Sequence, residues 1–189
     1  MADYKKAYEL LKNWENRQTK RGLIVYSNIA EDKGGETVLG IARKIHPKLA
    51  MWNEVDNIKK EFGLKDFVFL SKKLMENQII TDTALRLFKK EYWDKMQCDI
   101  IPYQPFAENL FLLGVNAGIK RGIKTGQQAC GITADGIIGK NTLKAWKDAC
   151  YNQAKKFTEI EIEYYKSLVF KNPSQSKFLQ GWINRANAV

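Results

Sequence analysis

Tyr4-Lys5-Lys6-Ala7-Tyr8-Glu9-Leu10-Leu11-Lys12-Asn13-Trp14-Glu15 is the stretch from which the fold is first read. Tyr4, Tyr8, Leu11 and Trp14 recur at the spacing of one helical face, over about three turns. The period breaks after Glu15. Residues 16–40 hold Gly22, Gly34, Gly35 and Gly40 and read as loop, with a short hairpin at 23–28.

Helical spacing returns over 38–46 and 51–62. Asp66 is placed to cap a helix carrying Phe67, Leu70 and Leu74 on one face. Thr81 or Asp82 is placed to cap the next, with Leu85, Phe88 and Tyr92 inward. Pro102 and Pro105 interrupt the chain, and helical patterns then cover 105–117 and 119–129. A turn-rich connector at 131–139 leads into one long helix over 141–168, with Leu143, Trp146, Cys150, Phe157 and Tyr164 inward. A last helix over 174–185 carries Phe178, Trp182 and Arg185. The fold class is mainly α: a helical bundle with a small loop or β-hairpin region near the N-terminus. The prolines suggest two regions, 1–97 and 98–189, packed as one compact unit.

The 189 residues carry 31 Lys+Arg against 21 Asp+Glu, a formal net charge of +10. Residues 1–94 hold 18 basic and 14 acidic side chains, and residues 95–189 hold 13 and 7. Such an excess of base points to a polyanionic partner: nucleic acid, an anionic membrane surface or an anionic cell wall. No apolar run approaches the length of a transmembrane helix, so no stable membrane insertion is expected. The first residues lead into an amphipathic stretch rather than a signal peptide, so the chain is expected to be made in the cytoplasm. Cys98, Cys130 and Cys150 show no metal-ligand spacing, and neither a metal nor a cofactor is expected. A Cys130–Cys150 bridge remains open at this level.

The chemistry concentrates in Trp14-Glu15 and, 16 residues on, Asp32-Lys33-Gly34-Gly35-Glu36-Thr37. Glycosidic cleavage needs one carboxylic acid to protonate the departing oxygen and a second carboxylate to activate water or attack. A Glu held beside an aromatic ring has its charged form disfavoured, whereas an Asp among loop N–H groups ionises readily. On spacing alone the signal is weak, and the ordinary reading is Glu15 as a solvated helix-end acid and Asp32 as a turn or cap residue.

The order of these motifs resembles glycoside hydrolase family 108, the lysozyme-like N-acetylmuramidases of phages and prophages. The matching residues are Leu10 to Glu15, Tyr26 to Thr37, and Gly40-Ile41. The second half resembles the predicted peptidoglycan domain of the same proteins. It does so through Tyr92-Trp93-Asp94, Leu113 to Gly118, Gln127-Gln128-Ala129, Asp135 to Leu143 and Phe178 to Arg185. The resemblance implies hydrolysis of the β-1,4 bond between N-acetylmuramic acid and N-acetylglucosamine. Glu15 would be the general acid, and Asp32 and Thr37 would hold the attacking water. It also implies peptidoglycan as the partner of a monomer, reached after phage-type release or dedicated export.

The chain departs from the family pattern in four places, one being Ala42 where the family has the Thr of Gly-Ile-Thr. Glu-Gly-Gly becomes Glu15-Asn16-Arg17, about eight extra residues separate Glu15 from Tyr26 on family spacing, and the Pro before the double glycine is Lys33. A longer loop can still return its ends to one site, because closure entropy grows slowly with length.

Other residues carry two readings each. Glu36 is an alternative second acid or a structural carboxylate. Trp14 and Tyr26 are candidate sugar contacts, against the default of core packing for aromatic residues. Asn116 is a candidate reader of N-acetyl groups or a satisfier of a helix end. His46 lacks a nucleophilic partner for a triad. The rival functions are a non-catalytic peptidoglycan-binding module and a nucleic-acid-binding protein. The second is disfavoured because no recognised nucleic-acid motif is present.

Overall fold

The computed structural model describes the chain except residues 16, 21 and 29–34, and describes the backbone alone at Glu15, Arg17 and Gln18. The elements in order are α1 (Tyr4–Glu15), β1 (Arg17–Thr19), β2 (Gly22–Ile24), β3 (Tyr26–Asn28), β4 (Glu36–Val38), β5 (Ile41–Ala42), α2 (Met51–Phe62), α3 (Phe67–Glu76), α4 (Gln78–Phe88), α5 (Gln104–Ala117), α6 (Ile119–Ala129), α7 (Lys140–Lys147), α8 (Tyr151–Lys171) and α9 (Ser176–Ala186). The mainly α class and the small N-terminal β region agree with the sequence reading. The described residues cluster into two compact units, one of residues 8–88 and one of residues 1–7 with 89–189.

In the unit of residues 8–88, β1 and β2 form one antiparallel hairpin, and β3, β4 and β5 a second sheet in that order. The registers are Gln18 opposite Leu23, Ser27 opposite Thr37 and Thr37 opposite Ala42. The single hairpin expected at 23–28 is therefore replaced by two pairings that part at Val25, whose N–H donates to Ser71 Oγ on α3 at 3.0 Å. Gly22, at φ 139°, lets this hairpin lie on α3: a Cβ there would stand 3.0 Å from Val68 Cγ1.

The helix expected over 38–46 is absent. Val38 pairs with Ile41 across a two-residue turn, with Leu39 at φ 52° and Gly40 at φ 78°, the signs of a type I′ hairpin. The left-handed conformation is unfavourable for Leu39, but its side chain is buried and its N–H donates to Val25 O at 2.9 Å. Val38 and Ile41 are three apart, which suits a helix face and a hairpin pair equally.

Met51, Trp52 and Val55 of α2, Leu70 and Leu74 of α3, and Ile80 and Ala84 of α4 form the core of this unit, with Leu11, Val38 and Ile41. Asp66 caps α3 as expected, accepting from the N–H groups of Val68 at 3.0 Å and Phe69 at 3.1 Å. The cap expected at Thr81 or Asp82 lies earlier. Asn77 both ends α3 and accepts from Ile80 N–H at 3.2 Å, so α4 starts at Gln78.

In the other unit, Phe106 to Gly114 of α5 are all buried, the signature of a central helix. Tyr4, Trp93 and Phe111 meet edge-on with ring centroids 5.4–5.7 Å apart. A π turn at Lys89–Trp93 follows α4 and rotates the phase, so Trp93 is buried where Tyr92 was expected inward. The long helix expected over 141–168 is two helices. Cys150 caps α8, its N–H and Sγ meeting Gln153 Oε1 at 3.2 and 3.0 Å, and this resets the phase. Cys150 is consequently exposed and Tyr165, not Tyr164, is buried. All three cysteines are free, which removes the Cys130–Cys150 bridge.

Candidate active site

Glu15 is the last residue of α1. The first strand, β1, begins at Arg17, so the backbone of Glu15 lies at the end of the helix and shortly before the β segments. Trp14 is half-buried at the same helix end. Asp32 lies outside the described residues.

Thr37 sits on β4, the central strand of the three-stranded sheet, between Ser27 and Ala42. Its hydroxyl donates to Gly35 O at 3.3 Å. A hydroxyl has further hydrogen-bonding capacity beyond one such bond.

Its neighbour Glu36 is fully engaged. Oε1 accepts from the Tyr26 hydroxyl at 3.1 Å and from Lys59 Nζ at 2.5 Å, and Oε2 accepts from Arg43 Nη1 at 2.7 Å. Arg43 also grips Asp56 bidentately, Nη1 to Oδ1 at 2.8 Å and Nη2 to Oδ2 at 2.7 Å, and lies over the Trp52 ring at 5.2 Å. Lys59 reaches Asp56 Oδ1 at 3.0 Å. Burial is the largest single influence on the Glu36 carboxyl and raises its pKa. The bonds from Lys59, Arg43 and Tyr26 together outweigh burial and hold it below the ordinary value. Asp56 is held well below the carboxylate range, chiefly by Arg43. Glu36 is thus an anchored anion, a poor proton donor, and its role is to tie β4 to α2.

Tyr26 on β3 is 3% exposed, its ring tilted against Phe67 at 5.5 Å. Its pKa is raised, first by burial and then by Glu36, so the hydroxyl stays a donor. Asn116 belongs to the other unit. Its Nδ2 donates to the Tyr165 hydroxyl at 2.7 Å, which in turn donates to Glu161 Oε1 at 2.9 Å. Glu161 is 2% exposed and its pKa is pushed up to about 7 by burial, opposed by the Tyr165 bond and by Arg185. The His46 backbone carbonyl accepts from Trp52 Nε1 at 2.7 Å.

The sequence reading did not name Arg43, Asp56 or Lys59 for this site. The Asp56/Lys59 pair was visible as an i,i+3 ion pair on a helix. Arg43 was hidden by the helix expected over 38–46. The turn at Asp135, within the turn-rich connector, is organised by buried Gln127: Nε2 donates to Asp135 Oδ1, Ile137 O and Thr142 Oγ1 at 2.8–3.0 Å, and Oε1 accepts from Gly136 N–H at 2.8 Å. Among the described residues, no three His, Cys, Asp or Glu side chains converge as metal ligands. No described helix is long and apolar enough to cross a membrane.

The profile of glycosyl hydrolase 108 matches residues 18–118, more than half of the chain, which therefore belongs to this family. A predicted peptidoglycan domain matches residues 121–187. Among solved structures the chain is similar to SagA of Brucella abortus, with a TM-score of 0.52 and 20% identity over 98% of this chain and 94% of that one. That likeness is one of fold. No curated protein matches the chain significantly.

Proposed function

We propose that this protein is an N-acetylmuramidase that hydrolyses the β-1,4 bond between N-acetylmuramic acid and N-acetylglucosamine in peptidoglycan. Glu15 donates its proton to the glycosidic oxygen. Asp32, as carboxylate, and Thr37 hold the water that attacks the anomeric carbon. The reading is supported by the position of Glu15 at the end of α1, followed in the chain by the β segments of which β4 carries Thr37, in a chain of this family. Asp32 is preferred to Glu36 as second acid because both Glu36 oxygens already serve Tyr26, Lys59 and Arg43. Trp14 packs against a sugar ring and Asn116 offers its amide to the wall polymer. Tyr26, expected as a sugar contact, is 3% exposed and instead supports Glu36 through its hydroxyl. Region 1–97 does the cutting and region 98–189 retains the wall, with the +10 charge drawing a monomer to an anionic polymer. The protein acts after phage-type release or dedicated export.

The test is the release of reducing ends from purified murein, with mass analysis of the fragments. Muramic-acid reducing ends are expected, with a drop of about 100-fold or more in Glu15→Gln. Glucosaminyl ends, or wild-type rates in Glu15→Gln, would refute the assignment. One observation favours a second reading, a wall-binding protein without catalysis: the family match begins at residue 18, past Glu15, where Asn16 and Arg17 replace the usual glycines. That reading expects murein pull-down with no new reducing ends.

A further inference from the structure

The connection between α2 and α3 is held at both ends. Gly63, at φ 73°, ends α2 with its N–H donating to Lys59 O at 2.8 Å. Asp66 caps α3 three residues later. Side chains normally hidden at such a corner are instead turned outward: Phe62 is 38% exposed, Leu64 49%, Phe67 43% and Phe69 45%. Phe62 and Phe69 meet edge-on at 5.6 Å, and Phe67 leans on Tyr26, so the rings are fixed in place while presenting apolar surface to solvent. Isolated exposed apolar residues are ordinary; four large ones within eight residues form a patch, and patches of this kind mark interaction sites.

The surrounding charge selects the partner. Residues 59–73 carry five lysines against two acids, Glu61 and Asp66; Lys59 is held by Glu36 and Asp56, Lys73 pairs with Glu76 at 2.9 Å, and the Asp66 carboxylate is occupied as a cap. Lys73 Nζ sits 5.5 Å from the Phe62 ring and 5.7 Å from the Phe69 ring. Lys60, Lys65 and Lys72 are exposed and make no ion pair with any described residue. Phenylalanine and leucine rimmed by lysine is the composition of surfaces that lie in the headgroup region of anionic bilayers. We propose that this corner docks the protein on anionic phospholipid membrane, with Leu64 and the three phenylalanines entering the interface and the lysines facing lipid phosphates. The inference is independent of which bond the enzyme cuts.

The full chain is co-sedimented with vesicles of phosphatidylglycerol and phosphatidylethanolamine, and separately with vesicles of phosphatidylcholine, at about 0.1 M salt. Binding to the anionic vesicles only is expected. The triple variant Leu64→Ser, Phe67→Ser, Phe69→Ser is expected to bind at least about tenfold more weakly, and Lys60→Gln, Lys65→Gln, Lys72→Gln at least about fivefold more weakly with less salt dependence. Leu64→Glu alone, in the turn, carries the test if the triple serine variant unfolds. Absence of wild-type binding, or equal binding by all variants, would overturn the proposal. So would a wild-type dimer that the serine variant converts to monomer, which assigns the patch to a second copy. Loss of murein retention with unchanged vesicle binding assigns it to glycan, with the same consequence.

Discussion

Arg43 holds Glu36 at 2.7 Å with the same guanidinium that grips Asp56 at both oxygens, so one cation ties strand β4 to helix α2. Thr37 is the next residue on that strand, and its position therefore depends on an ion cluster to which it does not itself belong.

Replacing Arg43 by Met removes this tie while keeping a side chain over Trp52. We expect a loss of about 1–2 kcal/mol at pH 7 in urea unfolding, discounted because solvent reaches Arg43 and Asp56. Both partner carboxyls have lowered folded pKa values, against ordinary values of 4.5 and 3.8. Their contribution is thus complete above those ordinary values and is lost as the pH falls through the folded ones. The wild type should lose stability on acidification below about pH 4.5, and Arg43→Met should lose less over the same range.

Glu36→Gln and Asp32→Asn distinguish the two candidates for the second acid. In Glu36→Gln the amide keeps an acceptor for Tyr26 and Lys59 but turns its NH2 toward Arg43, so part of the tie behind Thr37 is lost and murein hydrolysis should fall by no more than about tenfold. Asp32→Asn should fall about 100-fold or more. The reverse ranking in a reducing-end assay would transfer the second-acid role to Glu36.

Glu161 predicts an opposite pH signature. Its folded pKa of about 7 lies above the ordinary 4.5, so between these values the folded state holds the proton more tightly than the unfolded chain. Stability is therefore expected to decline as the pH rises through that window. Glu161→Gln, which can still accept from Tyr165, should flatten a plot of Tm against pH from about 5 to 7.

Gly122 tests how closely α5 and α6 pack. A Cβ there would stand 3.1 Å from Leu110 O and 3.2 Å from the Gly114 backbone, neither of which can rotate away. Gly122→Ala should destabilise by about 1–3 kcal/mol, measured by thermal unfolding, despite the better helix propensity of alanine.

The helices with a long-lived apolar period were legible in the chain. α1, α5 and α6 appear where Tyr4, Tyr8 and Leu11, then Phe106, Leu110 and Leu113, then Ile119 to Ala129 put them. The Asp66 cap was legible because its acceptor serves N–H groups two and three residues away. The break at Cys150 was not, because a cysteine stands where a capping serine or threonine would be recognised. The Gln127 centre was missed for another reason: its four partners lie 8–15 residues along the chain, three of them in a loop with no period and the fourth, Thr142, in the first turn of α7.

By itself the sequence determined the mainly helical class, the order of Glu15, Asp32 and Thr37, and the motifs that point to a peptidoglycan-directed hydrolase. These depend on local spacing and on residue identity. Tertiary structure decided the turn at Leu39–Gly40 and the fate of Glu36. Val38 and Ile41 satisfy either a helix or a hairpin until Val25 O takes the Leu39 N–H. Glu36 is either a reactive acid or an anchored anion until Lys59, 23 residues away, and Arg43 close on it. In both cases the deciding partner is distant in the chain, and only folding brings it within hydrogen-bond reach.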